Sequence, residues 1–169
     1  FRAALWSEAC FFRQGTLNRA MTQFTDAARA ATRALRQLFP ETPLQRNDHL
    51  CQQYDAEIWL KREDLSPVRS YKLRGAFTAL RKHLAAHPDQ RRFVCASAGN
   101  HAQGVAYACR HFGVQGTIFM PVTTPQQKID KTRTFGGDAV EIVLTGDYFD
   151  QTLTAAQAFC VQTGAHFLS

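Results

Sequence analysis

A lysine at the start of a predicted helix is the first residue of this sequence that suggests chemistry. Residues 70–76 read SYKLRGA, and the apolar residues that follow have helical spacing, so Ser70 is a candidate N-cap. Lys72 then lies in the first turn, where the helix dipole disfavours a cation by about 0.3–1 kcal/mol. The same field favours the neutral amine, which is the form that Schiff-base chemistry requires. An ordinary exposed lysine is the alternative interpretation.

A second segment, residues 97–104, has the composition of an anion-binding loop. It reads SAGNHAQG, follows a short apolar run and opens a helix. Small residues let the main chain approach a ligand, and the free N–H groups of a first helical turn attract an anion. Asn100 has a second interpretation as a helix cap, and His101 has one as a surface histidine. Gly104 costs about 1 kcal/mol relative to alanine inside a helix, so we expect a close neighbour there.

Helices and strands alternate around these two segments. Helical apolar spacing occurs at residues 24–38, between Ser70 and Pro88, at residues 102–112, from Thr124 and Pro125 to Gly136, and at residues 150–163. Strand-like runs occur at residues 57–61, 93–96, 117–120, 139–144 and 166–168. This order predicts an α/β fold, in which a parallel twisted sheet carries helices on both faces. Ligands bind such sheets beyond the carboxyl ends of the strands, where both segments lie.

Composition excludes several classes of protein. The 169 residues are 45% hydrophobic, and the longest apolar runs have the length of a strand, so no membrane span is predicted. The net charge of +6 comes from scattered basic residues, which does not indicate a nucleic-acid groove but suits a small anionic ligand. The five cysteines have no C-x-x-C spacing, which predicts reduced thiols and a cytoplasmic protein. No group of cysteines and histidines has the spacing of zinc ligands, so no metal site is predicted. The second segment is not G-x-G-x-x-G, so a dinucleotide is not indicated.

The two segments together resemble the fold-type II pyridoxal-phosphate enzymes, and more closely the biosynthetic threonine dehydratases (threonine ammonia-lyases). The resemblance covers residues 42–169. Supporting pieces occur in the same order: Thr42-Pro43-Leu44, LKRED at residues 60–64, Met120-Pro121 and Gly136-Gly137-Asp138. The fold it implies is that of the tryptophan synthase β-like enzymes, which agrees with the alternation of helices and strands.

The resemblance implies a role for each matched residue. Lys72 matches the lysine that bonds covalently to pyridoxal 5'-phosphate, and Tyr71 would flank that cofactor. Asn100 matches the asparagine that hydrogen-bonds the cofactor's ring hydroxyl. The loop that holds the substrate carboxylate would consist of Ser97, Gly99, Asn100 and His101. Packing or structural roles, without chemistry, are expected for Glu63, Asp64 and residues 74–76.

The function implied is conversion of L-threonine to 2-oxobutanoate and ammonia, the first step of isoleucine biosynthesis. The expected partner is a small amino-acid substrate, and the whole enzyme is expected to be a homo-oligomer. A degradative serine/threonine dehydratase or a serine racemase shares the lysine motif and stays open as an alternative. The contexts at residues 67–76 and 102–106 favour the biosynthetic branch, and residues 74–76 disfavour a cysteine or threonine synthase. A non-catalytic fragment is the remaining alternative.

The two ends of the chain differ from what a whole enzyme would show. Residues 1–20 are expected to be a leader or upstream segment, with the natural start at Met21, and a mitochondrial presequence is the alternative. Residues 21–169 are expected to be the N-terminal part of the catalytic domain. The family's glycine-rich cradle for the cofactor phosphate, its partner for the pyridine nitrogen and any regulatory domain do not occur here. We therefore expect the 169-residue chain alone to be inactive.

Overall fold

The first unit of the protein, residues 1–40, contains one long helix. A computed structural model describes the backbone of residues 5–169 and the side chains of residues 21–169. The helix α1 spans Leu5–Leu38, so it begins well before Phe24, where the apolar spacing predicts its start. Its end before Pro40 agrees with the prediction. The side chains of residues 1–20 lie outside the described residues, and the assignment of this segment as a leader stays a prediction.

The second unit, residues 41–169, opens with a small antiparallel ribbon. Its elements are β1 (Leu44–Arg46), α2 (Asp48–Tyr54) and β2 (Trp59–Lys61). The strand predicted at residues 57–61 is therefore present in shortened form as β2, but it pairs with β1 and not with the parallel sheet. The sequence analysis predicts neither β1 nor α2. Asn47 caps α2, because its side chain accepts a hydrogen bond of 2.9 Å from the Leu50 N–H.

A four-stranded parallel sheet forms the centre of this unit, as the alternation predicts. The elements are a 3₁₀ helix (Glu63–Leu65), α3 (Lys72–Ala86), β3 (Arg92–Ala96), α4 (Asn100–Phe112), β4 (Gln115–Met120), α5 (Gln126–Gly136), a 3₁₀ turn (Gly137–Ala139), β5 (Val140–Leu144), α6 (Phe149–Thr163) and β6 (His166–Phe167). The strand order is β5-β4-β3-β6, and every pairing in it is parallel. The predicted last strand is thus an edge strand of this sheet.

Helices cover both faces of the sheet, which confirms the predicted fold class. Successive side chains of a strand point to opposite faces. Phe93 and Cys95 of β3 pack in the core formed with α3, α4 and α5, whereas Val94 and Ala96 pack on the opposite side with α6. All four side chains are buried, so this strand reads as a continuous apolar run. The described part of the chain contains no helix long and apolar enough to cross a membrane.

Apart from the start of α1, most predicted helix ends are close to the observed ones, and the start of α5 shows a smaller departure. Pro125 is its cap residue and not its first helical residue. The Thr124 hydroxyl donates to the Pro121 carbonyl at 2.7 Å, so it does not cap the helix as predicted. Gly113 caps the C-terminus of α4 with φ of 63°, which is the left-handed conformation expected of a glycine there.

Candidate active site

Lys72 is the first residue of α3, at the predicted helix start. The formal cap residue is Tyr71, whose side chain makes no capping bond. The Ser70 hydroxyl instead accepts the Lys72 N–H at 3.2 Å, so Ser70 caps this N–H group as expected. Lys72 is exposed, and its Nζ lies 5.3 Å from the centroid of the Tyr71 ring. An amine with an aromatic neighbour therefore stands free at the helix start.

A cleft of about 260 Å³ opens beside this amine. One wall is α3, where Gly75, Ala76 and Ala79 carry little or no side chain and so leave room. Tyr71 and Lys72 form the end of that wall, and the opposite side contains His101 and the last residues of the chain. The structure thus brings together Lys72, Tyr71 and His101, three of the residues predicted to form the site.

His101 is a half-buried side chain of α4 that faces Lys72 across this cleft. Burial lowers the pKa of its imidazole, and the hydrogen bond to the Leu168 carbonyl raises it by a smaller amount. The charge of Lys72 lowers this pKa as well. The Nε2 atom lies 3.4 Å from the Leu168 oxygen. The lowered pKa favours the neutral ring, which adds a polar group to the cleft without adding a second cation beside the amine.

The start of α4 is left without a side-chain cap. The cap residue is Gly99, whose own N–H donates to the Ser97 hydroxyl at 3.3 Å, and among the described residues 21–169 no side chain bonds the first-turn N–H groups. The first N–H groups of a helix have no partner within the helix, so these groups and the helix dipole attract an anion. Asn100 is the first helical residue and is exposed, so it is not the cap. Ser97, Gly99 and Asn100 lie beside the Lys72 cleft without lining it.

Gly104 joins the two segments. A Cβ atom on Gly104 would stand 3.2 Å from the carbonyl carbon and oxygen of Lys72 and from the nitrogen of Leu73. This is the close neighbour that the sequence predicts, and it is the main chain of the lysine itself. Because Gly104 has no side chain, α4 approaches the backbone at the first turn of α3 directly.

A charged network fixes the first turn of α3 from the outside. Arg74 donates two hydrogen bonds to the Glu63 carboxylate, of 2.8 and 2.9 Å, and a third of 3.2 Å to the Thr42 hydroxyl. That hydroxyl donates to Glu63 at 2.6 Å. The hydrogen bond from Arg74 is the main cause that lowers the pKa of Glu63, whereas the partial burial of Glu63 raises the same pKa. The structural roles expected of Arg74 and Glu63 agree with this geometry, whereas the sequence analysis assigns no contact to Thr42.

The residues present fit the covalent end of pyridoxal phosphate. Its aldehyde needs a free primary amine, which Lys72 supplies at the mouth of a cleft. Its flat ring needs an apolar wall, which the small residues of α3 and the Tyr71 ring supply. An amino-acid carboxylate needs N–H donors, which the uncapped start of α4 supplies. None of the predicted site residues lies where its position conflicts with these needs.

Comparison with known proteins agrees with this geometry. The family model for pyridoxal-phosphate dependent enzymes matches residues 35–169. The biosynthetic L-threonine dehydratase IlvA of Bacillus subtilis is 50% identical over 127 residues, which are 75% of this chain and 30% of that protein. The processed threonine deaminase isoform 2 of Solanum lycopersicum superposes with a TM-score of 0.67 at 39% identity, covering 76% of this chain and 34% of the other.

A more distant structure shows the same fold. A pyridoxal 5'-phosphate-dependent aspartate racemase superposes with a TM-score of 0.79 at 23% identity, covering 86% of this chain and 44% of the other. The chain spans about a third of the length of the curated relatives it matches. The matched region contains the Lys72 cleft, the start of α4 and the whole parallel sheet. The chain belongs to the family of pyridoxal-phosphate dependent enzymes.

Proposed function

We propose that this chain supplies the lysine and the substrate-carboxylate loop of a threonine dehydratase of the biosynthetic type. The observation that carries the proposal is that Lys72, the first residue of α3, lines one cleft with His101 in the first turn of α4. The identity of 50% to the biosynthetic enzyme of Bacillus subtilis supports L-threonine as the substrate. The products would be 2-oxobutanoate and ammonia, in the first step of isoleucine biosynthesis.

Lys72 has two tasks in this proposal. Its Nζ would hold the cofactor through the aldehyde carbon. Bound pyridoxal phosphate supplies an electron sink, which makes the Cα–H of an amino acid acidic. Once the substrate amine has taken its place, the Nζ of Lys72 would accept the Cα proton, since it stays at the helix start beside the bound substrate. The β-hydroxyl would then leave together with this proton as water. The Tyr71 ring, whose centroid lies 5.3 Å from the Nζ, would flank the cofactor.

The start of α4 orients the substrate in the same proposal. Ser97 and the N–H groups from Gly99 to His101 would hold the carboxylate, and Asn100 would hydrogen-bond the cofactor's ring hydroxyl. Holding the carboxylate fixes the Cα–H relative to the Lys72 amine, which lowers the entropic cost of the proton transfer. The His101 ring lines the same cleft, and its lowered pKa favours the neutral form, which does not compete with the N–H groups as a cation.

We further infer a reducing compartment, the cytoplasm, and a homo-oligomeric whole enzyme. Cys51, Cys95, Cys109 and Cys160 are free thiols. Burial raises the pKa of both Cys95 and Cys109, so these thiols stay protonated and unreactive. The oligomer rests on the resemblance, and the exposed apolar residues Leu44 and Trp59 of the ribbon support a surface that is covered in an assembly. Sedimentation over a range of protein concentrations tests the assembly.

A chimera tests the proposed function. Residues 42–169 replace the matching segment of the Bacillus subtilis enzyme, and the formation of 2-oxobutanoate from L-threonine is measured with added pyridoxal phosphate. We expect turnover in the usual range of enzymes, about 1–10³ per second. The control is the same chimera with L-serine, for which we expect a lower kcat/KM. A folded chimera that binds the cofactor but does not dehydrate threonine contradicts the proposal. A clear preference for serine favours the degradative branch.

A further inference from the structure

We propose that Ser66 is a positioning residue for Lys72, which acts by holding the backbone of residues 66–70 in one shape. The inference rests on the proposed function, since it concerns the direction in which the lysine amine points. Ser66 lies six residues before Lys72, and neither the motif nor the resemblance gives this residue a role.

The Ser66 hydroxyl makes two hydrogen bonds to a single residue. It donates to the Ser70 carbonyl at 3.0 Å and accepts the Ser70 N–H at 2.9 Å. The Arg69 N–H donates to the Ser66 carbonyl at 2.8 Å. Ser66 and Ser70 are both buried, and so is Val68 between them. The five residues therefore form a closed loop, whose ends are joined by a hydroxyl that water does not reach.

The loop holds one residue in an unfavourable conformation. Arg69 has a φ of 57°, in the left-handed region that a residue with a Cβ atom seldom adopts. Such a conformation persists only where the surrounding structure imposes it. The bonds that Ser66 makes to the Arg69 N–H and to the main chain of Ser70 impose it here. Arg69 is exposed, so its side chain does not anchor the loop by burial.

The shape of the loop reaches Lys72 through one further bond. The Ser70 hydroxyl accepts the Lys72 N–H at 3.2 Å, and α3 begins at that residue. A change in the position of Ser70 therefore changes where the first turn of α3 starts. The buried hydroxyl of Ser66 thus controls the residue that carries the reactive amine, although it does not contact the cleft.

Hydrogen–deuterium exchange on the 169-residue chain tests this without cofactor. In Ser66→Ala the Ser70 amide loses its acceptor, and we expect exchange of the Ser70 and Lys72 amides to rise about tenfold or more, as a lost buried hydrogen bond implies. Exchange in β3 and β4 should not change. Ser66→Thr keeps the hydroxyl and should preserve protection. The matched control is Thr132→Val, which removes a buried hydroxyl of α5 that bonds the Lys128 carbonyl at 2.9 Å, away from the cleft.

A rescue experiment separates positioning from a general loss of stability. Glycine adopts the left-handed conformation without steric cost, so Arg69→Gly should restore much of the protection that the Lys72 amide loses in Ser66→Ala, while the Ser70 amide stays without its acceptor. Arg69→Ala removes the same charge but keeps the steric cost, and it should not restore protection. Equal protection in Ser66→Ala and the unmodified chain would overturn the inference. Equal rescue by alanine and glycine would also overturn it, because the left-handed turn would then not matter.

A second readout uses pyridoxal phosphate itself. The chimera is treated with the cofactor and borohydride, and the modified lysines are mapped by mass spectrometry. We expect the share of label at Lys72 to fall severalfold in Ser66→Ala and to recover with Arg69→Gly. If the unmodified chimera shows no preference for Lys72 among the lysines of this chain, the proposed function fails, while the exchange experiment still decides the role of Ser66. If the preference exists and Ser66→Ala leaves it unchanged, only the positioning inference fails.

Discussion

The starts of α3 and α4 lie next to each other but are built in opposite ways. At the start of α3, the Ser70 hydroxyl caps the Lys72 N–H, and the bonded pair of Arg74 and Glu63 holds the turn from outside. At the start of α4, the cap residue is Gly99, and no side chain caps the first-turn N–H groups. The start of α3, which side chains cap and hold, is called the closed start. The start of α4, whose N–H groups have no side-chain cap among the described residues, is called the open start.

The difference separates two tasks that one helix start could not perform well. A reactive amine must be held in one direction, so its helix start benefits from every bond that fixes the backbone. An anion site must keep its donors unpaired until the ligand arrives, so a side-chain cap would compete with the ligand. Gly104 then brings the closed start and the open start together, because it lets α4 pack on the backbone of Lys72.

The largest effect should come from removing the amine at the closed start. Lys72→Ala in the chimera should lower turnover by at least about 10²–10⁴-fold, since the proposed function gives this residue both the bond to the cofactor and the transfer of the proton. The exposed side chain makes no core contact, so the melting temperature should stay the same in the absence of cofactor. Turnover near that of the unmodified chimera would show that the amine of the site lies elsewhere.

A smaller loss should follow a change at the open start. Asn100→Ala should shift the absorbance of the bound cofactor and lower turnover, because one charge-assisted hydrogen bond is worth about 1.5–3 kcal/mol. Thermal melting should change little, since Asn100 is exposed and is not the cap of α4. A large drop in melting temperature with an unchanged spectrum would instead assign Asn100 a role in helix stability.

Glu63 tests how firmly the closed start is held. Glu63→Gln should lower the free energy of unfolding by about 1.5–3 kcal/mol at neutral pH, since it weakens hydrogen bonds between charged groups. Arg74 lowers the pKa of Glu63 from the ordinary 4.5, so the stabilisation is present above pH 4.5 and disappears as the pH falls through the lowered value. Denaturant unfolding at several pH values measures the difference between variant and unmodified chain.

The neighbouring carboxylate provides the control for that prediction. Asp64 pairs with Arg62, but its side chain is 55% exposed, against 19% for Glu63. Because solvent screens exposed ion pairs, Asp64→Asn should have a much smaller effect at every pH. Equal losses in the two variants would show that the network around Arg74 does not hold the start of α3.

The smallest effect should come from the contact between the two starts. Gly104→Ala gains about 1 kcal/mol in helix propensity, but the added Cβ would stand 3.2 Å from the Lys72 carbonyl and displace it. The free energy of unfolding should therefore change little, while turnover falls. Gly75→Ala has the same gain and meets nothing within 4 Å, so it should raise the melting temperature. A Gly104→Ala chimera with full turnover would show that α3 and α4 need not approach so closely.

Local patterns predict the sheet and its helices because each element carries its own signal. The buried runs of β3 and β4, the apolar faces of α3 and α4 and the cap Gly113 are all visible in the sequence. The three-residue strand β1 is fully exposed and has no apolar alternation, so nothing local marks it. The helix α2 is short, and its only signal is the N-cap Asn47, which the sequence analysis does not use.

The same distinction between local and distant contacts applies to the candidate site. Lys72 and the segment with Asn100 stand out because their chemistry is contained in contiguous residues. The bond between Thr42 and Arg74 joins residues that are far apart in sequence, and no local pattern indicates it. The direction in which β2 pairs is also set by contacts between distant residues. What sequence reasoning misses here is therefore the support of the site more than its reactive groups.

One measurement tests most directly whether the closed start carries the reactive amine. The chimera is loaded with pyridoxal phosphate, reduced with borohydride and digested, and the labelled peptide is identified by mass spectrometry. The account predicts that, among the lysines this chain contributes, Lys72 alone carries the label, and that Lys72→Ala abolishes it. Label spread over Lys61, Lys82, Lys128 and Lys131, or retained in Lys72→Ala on one of these, would contradict the account.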